Sequence, residues 1–161
     1  MDVRPAREDD WPVIWPFFAE IVAAGETYAF PEDLDEVSAR PWWLEPPPGQ
    51  AFVAVDGNVV LGSAKCGPNR PGRGSHVATG SFMVAPAARA RGVGRLLGEH
   101  VVAWARENGY RAVQFNAVVE TNTTAVALWR SLGFEIIGTV PQAFDSRSHG
   151  LVGLHVMHLR L

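Results

Sequence analysis

Phe82-Met83-Val84-Ala85-Pro86-Ala87-Ala88-Arg89-Ala90-Arg91-Gly92-Val93-Gly94-Arg95-Leu96-Leu97 reads as an apolar strand that passes through a tight arginine- and glycine-rich turn into a long amphipathic helix. Gly92 and Gly94 carry no Cβ, so the backbone there can turn sharply and press its N–H groups against an oxygen-rich ligand. The helix that follows opens with unpaired amides and the positive end of its dipole. Arg89, Arg91 and Arg95 add permanent charge around the same point, and a diphosphate matches the whole arrangement. Pro86 donates no hydrogen bond, so it ends the strand's ladder and leaves nearby strand groups free to pair with something else.

Outward from this stretch the chain alternates strands and helices. His76–Val84 forms the strand that feeds the turn, and a helix from about Gly92 to Asn108 carries Val93, Leu96, Leu97, Val101, Val102 and Trp104 near one side, with Gly109 as its C-cap. Ala112–Val119 is nearly continuously apolar, as a strand buried on both faces should be. Strand, helix and strand in this order imply a right-handed parallel crossover. Asn122 caps a short helix that runs to Leu132 and stops at Gly133, and Phe134–Val140 and Leu151–Leu161 read as two final strands.

Upstream, Asp2–Ala6 suits an edge strand, and Asp9 and Asp10 offer acidic caps for a helix built on Trp11, Ile14, Phe17, Phe18, Ile21 and Val22. Pro16 is expected to kink that helix or delay its start. Gly25–Pro31 is a loop between two helices, the second spanning Asp33–Leu44 and interrupted by Pro41. Pro46–Gly49 forms a rigid connector. Ala51–Val55 and Val59–Ala64, joined by Asp56-Gly57-Asn58, form a hairpin, and Gly67–Ser75 is an exposed polar loop.

Bulk composition bounds the function. The 161 residues, 47% hydrophobic and 19% charged, suffice for one domain over residues 1–161 with its own core. A net charge of −3 argues against a nucleic-acid-binding surface. One cysteine, Cys66, excludes an internal disulfide framework, and no Cys/His cluster has zinc-like spacing, so neither a metal nor an oxidising compartment is expected. No apolar run reaches the length of a bilayer crossing and Met1-Asp2-Val3-Arg4 lacks a signal core, so a cytoplasmic protein without a membrane partner is expected.

Two motifs carry a family resemblance. Arg89-Ala90-Arg91-Gly92-Val93-Gly94 fits an Arg/Gln-x-x-Gly-x-Gly/Ala turn, and Asn122-Thr123-Thr124-Ala125-Val126-Ala127-Leu128-Trp129, followed by Gly133-Phe134, fits Asn-x-x-Ala-x-x-Leu-Tyr…Gly-Phe. Over roughly Val77–Phe134 the chain thus resembles the GNAT superfamily of acyl-CoA-dependent N-acetyltransferases. The resemblance implies a mixed α/β fold: a mostly antiparallel sheet of about seven strands with a central parallel pair that splays apart, and about four helices. It also implies acetyl-CoA as co-substrate, with Arg89, Arg91, Gly92, Val93, Gly94 and Arg95 around the pyrophosphate, Phe82, Met83 and Val84 pairing with the pantetheine, and Asn122, Ala125 and Trp129 beside it. A homodimer is open to the chain, although no interface is legible.

The resemblance implies direct attack by the amine of a small molecule or amino acid, which must first lose a proton. The strand 76–84 has no carboxylate, although many relatives place a Glu there, so Glu120, His76 and His155 stand as alternatives for the base. Trp129 replaces the family tyrosine that protonates the leaving thiolate, which leaves water, an unassisted thiolate or Tyr28. Asn116 stands in an otherwise apolar strand, where a buried amide requires partners; with Thr27 and Tyr28 it is a candidate for gripping the acceptor. Phe115–Asn122 and Gly25–Tyr28 also resemble fungal relatives that acetylate proline analogues.

Three rivals remain to be weighed. A Rossmann domain is disfavoured by Leu97 at the third glycine position and Gln114 where a ribose-binding acid belongs, and no Gly-Lys-Ser/Thr exists for a Walker loop. A CoA-binding sensor that has lost its catalytic groups stays open, because both the strand Glu and the helix Tyr are missing.

Overall fold

The computed structural model describes residues 1–161. Seven strands, β1 (Asp2–Pro5), β2 (Gln50–Asp56), β3 (Val59–Pro68), β4 (Val77–Val84), β5 (Ala112–Val119), β6 (Glu135–Ser146) and β7 (Gly150–Arg160), form one sheet in the order β1-β2-β3-β4-β5-β7-β6. Four helices, α1 (Trp11–Ala24), α2 (Glu36–Trp43), α3 (Val93–Glu107) and α4 (Thr123–Ser131), cover its two faces. Every neighbouring pair is antiparallel except β4 and β5, which run parallel and pair only at Val77↔Ala112 and Ala78↔Val113. From Thr79 onward the two strands separate, so the middle of the sheet opens into a cleft whose walls are unpaired strand edges.

Alternation along the strands sorts the apolar side chains into two cores. On one face Phe52, Ala64, Ala78, Val113, Phe115 and Met157 pack against Val93, Leu97, Val101 and Ala105 of α3 and Trp129 of α4. On the other, Val53 and Met83 pack against Trp11, Ile14, Phe18 and Val22 of α1 and Trp43 of α2. The indole of Trp43 is entirely buried, and its N–H donates to Ser63 Oγ at 2.9 Å, which donates on to the carbonyl of Phe52. That relay satisfies the polar groups buried under α2.

The mostly antiparallel seven-stranded sheet with its splayed central pair is as the family resemblance implied. Several local expectations are corrected. Pro16 does not delay α1, which runs unbroken from Trp11 to Ala24; its apolar side chains bury Ile14, Phe17 and Phe18 on both sides of the proline and hold the helix together. Asp10 does not cap α1 with its side chain, because its carboxylate is engaged by Arg4 (2.7 Å to each oxygen) and by the Arg7 N–H. The second helix is shorter than its pattern: Asp35 accepts from the amides of Val37 and Ser38 and fixes the start at Glu36.

The polar run Gly67–Ser75 is not all loop. β3 extends to Pro68, and the Asn69 N–H donates to Val77. Likewise β6 continues past Val140 to Ser146, tolerating Pro141 because it lies at the sheet edge beside a register shift between Val140 and Phe144. No helix is long and apolar enough to cross a membrane.

Candidate active site

The arginine and glycine turn sits where β4 gives way to α3. Ala90 and Gly92 both adopt left-handed backbone (φ 59° and 80°), interleaved with other conformations, which curls successive amides toward one side. A Cβ built on Gly92 would meet nothing within 4 Å, so the space in front of the turn is open. On Gly94 it would touch Leu128 at 3.3 Å, so the second glycine serves the close approach of α3 to α4. Val93 is buried in the core, which anchors the first turn of α3. Arg91 pairs with Asp56 at 3.1 Å, and Arg95 reaches Ser131 at 2.7 Å and Glu99 at 3.4 Å. Arg89 is exposed and makes no ion pair within the chain.

Across the cleft, Asn122 accepts the Ala125 N–H at 3.3 Å and starts α4. Trp129, 6% exposed, points back to the sheet, with its ring centroid 4.6 Å from Phe82, 4.9 Å from Phe115 and 6.2 Å from Phe134. An aromatic floor therefore underlies the gap between β4 and β5. It requires Gly98, where a Cβ would lie 2.8 Å from Trp129 Cζ3 and 2.8 Å from Leu132 Cδ1.

The three strand residues named from sequence divide by alternation. The Ala85 N–H bonds to Leu61 on β3, so Met83 also turns its backbone groups toward β3 while Phe82 and Val84 face the gap. Phe82 is occupied there: the Tyr28 hydroxyl donates to its carbonyl at 2.6 Å and accepts its N–H at 2.8 Å. Burial pushes the Tyr28 phenol up to about 12, against a smaller opposing effect of the Phe82 hydrogen bond, so it stays protonated at neutral pH. Its ring stacks on Phe30 (5.4 Å, 14°) and meets Trp43 edge-on, which fixes the α1–α2 loop over the open strand.

Asn116 is exposed, in contrast to the expected burial. The cause is a register shift on β5, where Phe115↔Met157 is followed by Val118↔His155, so Asn116 and Ala117 together oppose one residue of β7. The bulge turns both outward. Asn116 then donates to Asn69 at 2.6 Å and accepts from Gln114 at 3.0 Å, joining the β3–β4 loop to β5.

Of the remaining candidates, Glu120 accepts the Gly153 N–H at 2.5 Å and prolongs the β5–β7 pairing beyond Val119. His155 bonds Thr139 at 2.7 Å on the β6–β7 hairpin. Cys66 is buried, and desolvation, reinforced by Glu45, pushes its thiol up to about 12, which makes it an inert core residue. No three His, Cys, Asp or Glu side chains gather in a way that could hold a metal ion.

A cluster that no short motif marks closes the same end of the cleft. The β6–β7 turn reaches across to the loop after α1: the Arg147 N–H donates to the Gly25 carbonyl, and the Arg147 side chain pairs with Glu32 at 2.9 Å. Glu26 accepts from Ser146 Oγ at 2.6 Å and from the Ser148 N–H at 2.9 Å, and the hydroxyl bonds from Ser146 and then Ser148 hold its carboxyl below the usual carboxylate range. Glu26, Thr27, Thr121, Asn122, Ser148 and His149 line a cavity of about 300 Å³ without one hydrophobic residue. Thr27 thus stands in a polar recess next to Asn122.

Comparison with known proteins places this architecture. Residues 15–134 match the profile described as "Acetyltransferase (GNAT) family". The solved structure of a GCN5-related N-acetyltransferase from Kribbella flavida is 60% identical, covers 99% of this chain and 97% of its own, and superposes with a TM-score of 0.97. The structure of yncA from Salmonella typhimurium, described as a putative acetyltransferase with its cofactor acetyl-CoA, shares the fold (TM-score 0.85, 24% identity, 100% of this chain and 94% of that one). Among curated sequences, N-acetyltransferase aca1 of Schizosaccharomyces pombe is 34% identical over 105 residues, 65% of this chain and 50% of that protein. The chain thus spans half the length of that relative.

Proposed function

The chain belongs to the acetyltransferase (GNAT) family, and from that membership we propose that it transfers the acetyl group of acetyl-CoA to the amine of a small molecule or amino acid. The observation that carries this reading is the splay of β4 from β5 after two paired residues, followed by an arginine-rich turn in which Ala90 and Gly92 take left-handed backbone. In the proposed complex Arg89, Arg91, Gly92, Val93, Gly94 and Arg95 hold the pyrophosphate, with Arg89 free to do so without giving up a partner. The pantetheine lies in the gap along Val84, whose polar backbone groups face it, with Asn122, Ala125 and Trp129 on the opposite wall. Phe82 pairs with it only if Tyr28 yields, so Phe82 and Tyr28 form a contact that cofactor or acceptor displaces or uses.

Attack is direct: the amine nitrogen bonds to the carbonyl carbon of the thioester, the C–S bond breaks, and CoA leaves as the thiolate. Trp129 cannot protonate it, since an indole is no acid near neutral pH. Tyr28 is the neutral phenol nearest the gap and is the proposed donor, while a thiolate is also a good leaving group in water. Asn116, on its bulge, and Thr27, in its recess, face the acceptor in this reading. Glu120 supports the strand end through Gly153 rather than serving as a free base.

The test is thiol release from acetyl-CoA across a panel of small amines and amino acids, with acetyl-CoA affinity measured by calorimetry. Turnover with any member supports the reading. Tight binding without turnover would instead support a CoA sensor, and absent binding would overturn both.

A further inference from the structure

The proposed reaction needs a group to remove the proton from the acceptor's ammonium, and β4 supplies no carboxylate. The polar cavity does contain an imidazole, that of His149 on the β6–β7 turn. Its Nδ1 lies 2.8 Å from Ser148 Oγ and 3.3 Å from Ser146 Oγ. Ser146 has a single hydroxyl proton and gives it to Glu26 at 2.6 Å, while its oxygen also accepts the His149 backbone N–H at 3.1 Å. Toward the imidazole Ser146 therefore presents a lone pair, and Ser148 Oγ can accept from Nδ1 as well as donate to it; in the Nδ1–H form Nε2, which has no hydrogen-bond partner in the chain, carries the free lone pair.

Position agrees with the role. The cavity touches both walls of the cleft: Thr121 and Asn122 continue β5, and Glu26 and Thr27 immediately precede Tyr28, whose hydroxyl is bonded to Phe82 on β4. Its only charged lining group besides the imidazole is Glu26, 3.9 Å from Nδ1, so it suits a cationic amine and offers no cation for a carboxylate. Of the other charged groups around the turn, Arg147 is engaged with Glu32 and Glu120 with the Gly153 amide, while Asp145 is exposed and makes no ion pair. His149 itself is more than half exposed, at 56%, so a proton it receives can pass to bulk water.

Resting on the acetyltransferase reading above, we propose that His149 is the general base, with Glu26 and Ser146 positioning it and the cavity receiving the ammonium end of an acceptor that is cationic or hydroxylated. Nε2 takes one proton from R–NH₃⁺, the freed lone pair forms the C–N bond as C–S breaks, Tyr28 protonates the thiolate and regains its proton from the amide nitrogen, and His149 releases its own to solvent. Atoms and charge balance without any further reactant.

The test compares the unaltered chain with His149→Gln, His149→Gly and Glu26→Gln, using acetyl-CoA and the best amine found in the panel. His149→Gln should lower kcat/KM at neutral pH by roughly 100-fold, the scale of one lost general base, and should flatten the acid limb of the pH profile. Added imidazole should restore part of the rate to His149→Gly. Glu26→Gln should cost about 10-fold in kcat with KM little changed, because the imidazole loses the carboxylate that positions it through Ser146. Acetyl-CoA affinity and Tm should stay near their original values. A His149→Gln protein with an unchanged rate and pH profile overturns this inference alone. An unaltered protein that binds acetyl-CoA yet acetylates no amine overturns the function reading and this inference with it.

Discussion

The two ends of the cleft are built in opposite ways. At the β4–α3 turn, six consecutive residues supply the curled amides and the positive charge, and the backbone does most of the work. At the polar cavity, Glu26 meets Ser146 and Ser148 across about 120 positions of chain, and the side chains do the work. The first design depends on φ angles that glycine permits and tolerates almost any neighbouring side chain. The second depends on two loops keeping their places relative to one another, so it can be altered by a change in either loop.

This contrast can be broken most severely at Gly92. Gly92→Glu should reduce acetyl-CoA affinity by roughly 100-fold or more, since charge-assisted bonds worth about 1.5–3 kcal/mol each are replaced by repulsion. Calorimetry reads the loss. Gly72→Glu is the control: Gly72 has a similar left-handed φ of 57° and open space, so it carries the backbone penalty without the phosphate. Equal losses in both variants would show that strain, not anion binding, governs the turn.

Tyr28→Phe tests the junction between the two ends. Deleting the hydroxyl leaves the Phe82 N–H and C=O unpaired and should cost about 1–3 kcal/mol, read as a lower Tm. In the unaltered protein the phenol stands at about 12, above its ordinary value of 10.0. The folded state therefore retains a proton that the unfolded state loses, and this stabilising contribution is present below pH 10 and lost as pH rises toward 12. The variant should show a shallower alkaline decline; an identical decline would place the phenol in solvent.

Gly98→Ala probes the aromatic floor. A helix gains about 1 kcal/mol from that change in isolation, but the new methyl collides with Trp129 and Leu132, and overpacking of about 1–3 kcal/mol should reverse the sign. Thermal denaturation decides between them. The smallest effect on stability is expected at Asn116: being exposed, Asn116→Ala should stay within about 0.5 kcal/mol of the original. It should nevertheless raise the acceptor KM or lower kcat while acetyl-CoA affinity holds. A marked fall in Tm with unchanged kinetics would make Asn116 a structural link to Asn69 and nothing more.

The sequence disclosed the turn into α3 and the Asn122 cap of α4, because each depends on residues close together in the chain. It also disclosed the parallel crossover, since a strand, an amphipathic helix and a nearly continuous apolar strand follow one another. What it hid depends on distant contacts. Glu26 and His149 carry no local signature, and only the fold brings them together. Gly98 looks like an ordinary weak spot in a helix until Trp129 is placed against it. The reading of β6 stopped at Val140 because nothing local reveals that the strand lies at the sheet edge, where Pro141 is tolerated. Asn116 was read as buried because the apolar run around it looked continuous, whereas a bulge is a property of two strands in register and is invisible in either alone.

The extra residue in β5 has a consequence for how this scaffold could be simplified. Phe115 and Val118 both face the α3 core although an odd number of steps separates them, and only the inserted position allows it. Deleting Ala117 would leave every hydrophobic residue on its own side of the sheet and restore continuous pairing to β7, so a shortened chain would keep its architecture. It would lose the outward kink that presents Asn116 and the link to Asn69, so a single amino acid separates what the sheet needs to fold from what shapes its surface.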